Sequence, residues 1–474
     1  MAGTSHHTRR SFLHYMAYFT AASTMGVGSR RAWGAEPQNC AGPRPPATPT
    51  RWTPDTNPIL PRLPASTLSA ADVTKLRNAY QALRDLTTTQ PNDPRGWLQQ
   101  GDKHCWNCGG GLDQQAGEEI HGSWLFLPWH RAFLYFHERI LGALINDKSL
   151  RLAYWDWDNA ANRTIPAAWT TPNTTANALW DANRSAVAGN QVPNSLVGPQ
   201  IMNPIIGAST FTQFGGSAAN GGNLENGPHG AVHIWCGNTM LNSAQADMGL
   251  LDTAAQDPIF FAHHANIDRL WTVWLQASTT HKNPTNANWL RHRFTFWDER
   301  KRWVSITVAD VLNMSNNLRY TYGPAAARPA FLAAAPKALS LQMEADKTIV
   351  LPEAVKNRMR AAVADKNLTT LRVEGVTLPL QAKGIYRIIA NKPTAVAAEV
   401  AGTPNDLGYI AIVPRTSKDE GGHMHGSFSI DLDVTEQLPK LIQENGKLSL
   451  SYVPITDTAK GAPLQYQKAS LIER

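Results

Sequence analysis

The placement of histidine is what most narrows the folds open to this 474-residue chain. Of its 15 histidines, eight fall between positions 104 and 264: His104, His121, His130, His137, His229, His233, His263 and His264. His229 and His233 stand four apart in Pro-His-Gly-Ala-Val-His, so on a helix both imidazoles project from one face. His264 belongs to a later helical segment, with Asp268 one turn on. His104, His121 and His130 form a second group. One isolated histidine is ordinarily a hydrogen-bonded core or surface residue. Two triads on helical spacings ask instead for helices that converge on metal. Imidazole suits Zn, Cu, Fe and Ni, and six histidines with no carboxylate in either triad favour copper over a closed, Cys-rich zinc site.

The rest of the chain organises around that region. Residues 35–65 are rich in Pro and Thr and predict an extended arm on a domain surface. Ser69-Ala70-Ala71-Asp72 opens a helical pattern with Val73, Leu76, Tyr80 and Leu83 at three- and four-residue spacing. A second long helix is predicted over 124–145, with Pro128 in its first turn. From 160 to 224 the composition shifts to Asn, Thr, Ala, Gly and Pro, which predicts a long loop. Helical spacing returns around 229–235 and 262–276. Past a small-residue linker at Gly323-Pro324-Ala325-Ala326-Ala327 the period changes to two. Segments 371–373, 386–389, 409–413 and 428–432 read as strands of a sandwich or barrel.

Longer motifs carry a resemblance to a known family. His121-Gly-Ser-Trp-Leu-Phe-Leu-Pro-Trp-His130-Arg-Ala-Phe-Leu-Tyr-Phe-His-Glu138 resembles the first copper motif of the tyrosinase and catechol oxidase (polyphenol oxidase) family. Asp257-Pro-Ile-Phe-Phe-Ala-His-His264-Ala-Asn-Ile-Asp268-Arg-Leu-Trp271 resembles the second. Glu225-Asn-Gly-Pro-His229-Gly-Ala-Val-His233 is similar to the plant form of the second-copper helix. Tyr154-Trp155-Asp156-Trp157 and Tyr320-Thr321-Tyr322 match further family motifs, and residues 294–322 resemble the small domain after the copper sites of plant enzymes. The chain looks like a bacterial member of this type-3 copper family with plant-like motifs.

The resemblance implies a mainly α catalytic domain over 35–323, a four-helix bundle around a dicopper site, followed by a smaller all-β lid domain over 324–474. It implies two copper ions that bind O2 between them as peroxide, the first held by His104, His121 and His130, the second by His229, His233 and His264. His263 is then structural, and Asp268 and Glu138 are candidates to hold ligand imidazoles in one tautomer. It further implies a thioether from Cys108 to His121, which leaves Cys105 to pair with Cys40, and Cys236 as an inert core thiol. Glu225 fits a glutamate that holds a water for phenol deprotonation. Gly230 stands where an asparagine often helps, which argues for diphenol oxidation. Leu251 replaces a bulky Phe gate and is expected to leave the first copper more accessible, which favours some monophenol hydroxylation. The partners implied are small phenols and O2. A hemocyanin-like carrier that releases O2 unchanged is the alternative.

Composition supports an exported rather than a nucleic-acid-binding chain. The net charge of +7 includes Arg9, Arg10, Arg30 and Arg31, all before Gly34 with no acid among them. Thr-Arg9-Arg10-Ser-Phe-Leu, a short apolar stretch and Ala32-Trp33-Gly34-Ala35 resemble a twin-arginine export signal over residues 1–34. Its removal leaves +3, with no dense basic cluster interleaved with aromatics, so nucleic acid is not an expected partner. The expected location is periplasmic or secreted, by way of the twin-arginine machinery, with the oligomeric state open. No apolar run reaches the roughly 18 residues of a spanning helix. Four cysteines exclude a disulfide scaffold, and one surface motif, His423-Met-His425, has the composition to capture copper but reads as an exposed turn.

Overall fold

The computed structural model describes residues 48–108, 118–185, 190–237, 247–323, 337–341, 349–365, 369–379, 382–414, 427–443, 447–455 and 460–473. The leader, Cys40, the 324–336 linker and the His423–His425 motif lie outside the described residues.

Helices build the first part of the chain. Ala70–Thr89 starts at the Ser69 cap, whose hydroxyl accepts from the Asp72 amide while Asp72 returns a bond to the Ser69 amide. Phe126–Leu144 begins with Pro128 in its first turn, where a missing N–H costs nothing. This helix is apolar and buried nearly all round, so it runs through the centre of the region. Ile259–Ala277 packs across it. Apart from His121 and His229, the clustered histidines stand on four helices: Trp97–Trp106, Phe126–Leu144, Gly230–Cys236 and Ile259–Ala277. Two of them run 19 residues and the others 10 and 7. The 160–224 stretch differs from the predicted long loop. It contains the short helices Ala167–Thr170, Asn194–Val197, Pro199–Ile206 and Phe211–Gly215, each too brief to show a helical period in sequence.

The proline-rich arm is extended. Leu60–Arg62 pairs in parallel with Tyr320–Tyr322, and Thr50–Arg51 with Val304 and Ser305 of Trp303–Thr307. No helix among the described residues is long and apolar enough to cross a membrane.

Among the described residues, the C-terminal region holds two four-stranded antiparallel sheets and a two-stranded one that pairs Lys447–Leu448 with Ile349–Val350. One four-stranded sheet runs in the order 406–412, 384–390, 450–454, 462–463, the other 428–433, 369–376, 468–473, 337–341. The expectation of an all-β region is corrected by helices, of which Glu353–Asp365 is the longest. Its Val355, Met359 and Ala362 recur at helical spacing and pack into the inter-sheet core. Along Asp406–Ile412 and beyond, alternation decides the architecture. Ile410 and Ile412 face the inter-sheet core, while Tyr409, Ala411 and Val413 join the core of the helical region. Both faces of this strand are buried, which explains its unbroken apolar run.

Candidate metal centre

Six histidines converge on one buried place. In the first triad the ring centroids of His104, His121 and His130 lie 5.3–5.5 Å apart. In the second, His229, His233 and His264 lie 4.6–5.4 Å apart. The triads meet where the two long helices cross, and His130 and His264 stack at 4.1 Å and 10°. Phe126 and Phe260 pack against the cluster, at 4.6 Å from His229 and 4.2 Å from His264.

Each segment has a local reason to aim its histidine. Glu225–His229 is a π-turn broken at Gly227 and followed by Pro228, and it delivers His229 one helical turn before His233. His121 precedes Gly122, whose φ of 66° is the left-handed conformation that glycine adopts without strain. That turn lets the Gly122 amide donate to Glu225 Oε1 at 2.7 Å.

Hydrogen bonds set the tautomers. His104 Nδ1 donates to Leu251 O at 3.0 Å, His130 Nδ1 to Phe126 O at 2.9 Å, His229 Nδ1 to Glu225 O at 3.2 Å and His233 Nδ1 to Met248 O at 2.9 Å. His121 Nδ1 lies 3.2 Å from Glu119 Oε1. A neutral ring that donates from Nδ1 keeps the Nε2 lone pair for a metal. Nε2 of His130 and of His229 is buried and makes no hydrogen bond with the described residues. His233 Nε2 and His264 Nε2 lie 3.2 Å apart, a separation at which two lone pairs are well placed to share one cation. Burial first, and then the neighbouring imidazoles, hold His104, His130, His229 and His264 well below the ordinary histidine range. His233 falls to about 3, chiefly through burial. The rings are therefore neutral, the state in which imidazole binds metal. This donor set fits a pair of copper ions.

The other predicted residues divide. His263 stands in the second cluster, with metal-binding atoms of His229, His233, His263 and His264 within 4.8 Å of one another; its Nδ1 accepts the Trp157 indole N–H at 3.0 Å, and its buried Nε2 makes no hydrogen bond with the described residues. His137 is stacked on Phe261 at 3.5 Å and bonded to Gln100 and Tyr80, a core role. Cys108 Sγ lies 3.5 Å from both ring nitrogens of His104, and metal-binding atoms of His104, Cys108 and His121 fall within 4.8 Å of one another. Cys105 is disulfide-bonded; the Cys40 expected as its partner lies outside the described residues. Cys236 is buried, and burial pushes its thiol well up, as an inert core group requires.

Asp268 and Glu138 do not orient the histidines. Asp268 accepts from Arg131, Arg62, Tyr320 and Tyr322, and Glu138 from Arg62 and the Leu152 amide. These groups form a buried ionic cluster that ties the arm, both long helices and the Tyr320–Tyr322 strand together. Main-chain carbonyls do most of the orienting, and every residue has one, so sequence carries no signature of it. Leu251 is fully buried. A Cβ at Gly230 would stand 2.9 Å from Ala411 O and 3.2 Å from Ala411 Cβ, so the C-terminal strand lies directly on this glycine.

Comparison with known proteins agrees with this geometry. The common central domain of tyrosinase matches residues 85–204 and 164–277, and the polyphenol oxidase middle domain matches 283–335. The latent form of polyphenol oxidase from Prunus armeniaca, named chloroplastic, is 35% identical over 283 residues, 53% of this chain and 46% of that protein. The chain spans about half the length of the curated relatives it matches. Latent apple tyrosinase shares the fold, with a TM-score of 0.65 and 24% identity over 89% of this chain and all of that one. The polyphenol oxidase of Grenache (Vitis vinifera) is 31% identical with a TM-score of 0.53, covering 64% of this chain and 96% of that one. With the histidine centre, these matches make the chain a member of the tyrosinase and polyphenol oxidase family of type-3 copper proteins.

Proposed function

We propose that this protein is a dicopper oxidase that converts o-diphenols to o-quinones with O2, two diphenols and one O2 giving two quinones and two waters. Monophenol ortho-hydroxylation is proposed as its second activity. The observation that carries the reading is the set of Nδ1 hydrogen bonds, which leaves Nε2 atoms turned to a common centre. His104, His121 and His130 would hold one copper and His229, His233 and His264 the other, and the bound pair would supply O2 binding and electron acceptance.

The chain's own groups handle position and protons. Phe126 and Phe260 keep the centre dry, which strengthens every electrostatic interaction in it. Glu225 spends one oxygen on the Gly122 amide, while Oε2 is buried and makes no hydrogen bond with the described residues. Such a carboxylate suits a water that takes the phenol proton. Gly230 offers that water no side-chain partner, in keeping with diphenols as the principal substrate.

The C-terminal region, proposed as a lid over 324–474, seats Tyr409, Ala411 and Val413 on the ligand-bearing side. Brief detergent or acid treatment, or cutting the 324–336 linker, should raise diphenol turnover several-fold, with copper content unchanged when no chelator competes. Export rests on the Arg9-Arg10 leader alone, and the relatives are chloroplastic by name. N-terminal sequencing of mature protein tests cleavage after Gly34. The central test is to add catechol to protein loaded with two coppers per chain. Quinone absorbance supports the oxidase; reversible O2 binding without quinone would favour the hemocyanin-like alternative.

A further inference from the structure

One short loop serves both triads. Within Asp247–Asp257, Met248 O accepts from His233 Nδ1 and Leu251 O accepts from His104 Nδ1, three residues apart. The loop is braced from inside by Thr253 Oγ1 on Asp247 O and by Asn183 Nδ2 on Asp247 Oδ2. From outside it is held by the C-terminal region, since the Leu251 amide donates to Pro414 O at 3.1 Å. Pro414 follows the strand that sits on Gly230 through Ala411, and Tyr409 anchors that strand by donating its hydroxyl to Leu196 O. A continuous main-chain path therefore runs from the C-terminal sheet through Pro414 and Leu251 to His104.

We propose that Leu251, clamped by Pro414, is a positioning residue for the metal ligands, so that the C-terminal sheet is part of the coordination scaffold as well as a cover. The proposal rests on the dicopper reading. A carbonyl that fixes a ligand's tautomer is effective only while it stays in place, and loss of such a partner typically weakens metal binding about 10- to 100-fold. Because the loop also carries Met248, slackening it loosens one ligand in each triad.

The test uses the copper-loaded full chain and two readouts: hydrogen exchange of peptides spanning 247–257 and 406–412, and the rate of copper transfer to a chromophoric chelator. Ala411→Leu wedges the strand away from Gly230, and Tyr409→Phe removes its anchor more gently should the first variant fail to fold. Val373→Ala, buried in the other sheet, controls for general destabilisation. The expected result is that exchange rises in both peptides of the strand variants and copper transfer accelerates about tenfold, with both ions affected. Faster exchange at 406–412 with copper transfer at the wild-type rate overturns the proposal, as does an equal acceleration in Val373→Ala. Wild-type protein that never loads two coppers overturns the dicopper reading and this inference together. Normal loading with unchanged release overturns this inference alone.

Discussion

The indole N–H of Trp157 points at Nδ1 of His263 at 3.0 Å, a bond that His264, its neighbour in the same cluster, does not share. A neutral imidazole that accepts on Nδ1 carries its proton on Nε2 and has no lone pair left for a metal. Metal analysis should therefore find both coppers in His263→Ala and only one in His264→Ala, which should also lose nearly all activity. The reverse pattern would exchange the two assignments.

In the proposed reading, Gly230 bears on both the chemistry and the lid. An asparagine there would offer the proposed water a partner and would also collide with Ala411. Gly230→Asn is expected to raise the ratio of monophenol to diphenol activity and to abolish further activation by detergent. Assays on both substrates, with and without detergent, check this; a variant still latent, with the wild-type ratio, refutes both effects.

Asp268 should be among the most costly residues to neutralise. Burial alone would raise its carboxyl, but Arg131, Arg62 and the Tyr320 and Tyr322 hydroxyls hold it below the ordinary range. Asp268→Asn leaves two buried guanidiniums underpaired, a loss of about 3–5 kcal/mol by analogy with broken buried pairs. The folded carboxyl is the stronger acid, so its contribution is present above the unfolded value and fades as pH falls through the folded one. Denaturation of metal-free wild type and variant should give a difference that is full near pH 6 and shrinks below about pH 4.

Asp181 should behave in the opposite sense. Burial, and then the nearby Asp257, push it up to about 6, against the pull of Arg184. A folded group that holds its proton more tightly than the unfolded one favours the fold at low pH and loses that advantage as pH rises. Asp181→Asn should therefore gain stability relative to wild type as pH climbs from about 4 to 7, read by the same denaturation series. A constant difference across that range would contradict the raised value.

The contact between Cys108 and the His104–His121 pair bears on a covalent link. Mass spectrometry of reduced, digested copper-loaded protein should reveal a Cys108–His121 peptide two hydrogens lighter than the separate peptides. Alkylation of Cys108 in that protein would exclude the thioether.

Local spacing made much of this molecule legible in sequence. His229 and His233 share a face because a helix repeats every 3.6 residues, and the Ser69 and Asp72 pair announced its own helix start. The expected strands at 371–373, 386–389 and 428–432 fall within the observed strands, and 409–413 overruns its strand by one residue, because alternation is also local. Tertiary structure alone decided what depends on meetings between distant segments. Asp268 and Glu138 read as partners of the histidines because they stand one or two turns away, yet Arg62, brought in by the arm, claims both. Gly230 read as a missing asparagine, whereas a strand some 180 residues later requires the absence of a side chain there. The carbonyls of Met248 and Leu251 left no trace in sequence because the backbone is the same at every position, and only the path of the chain decides which carbonyl meets an imidazole.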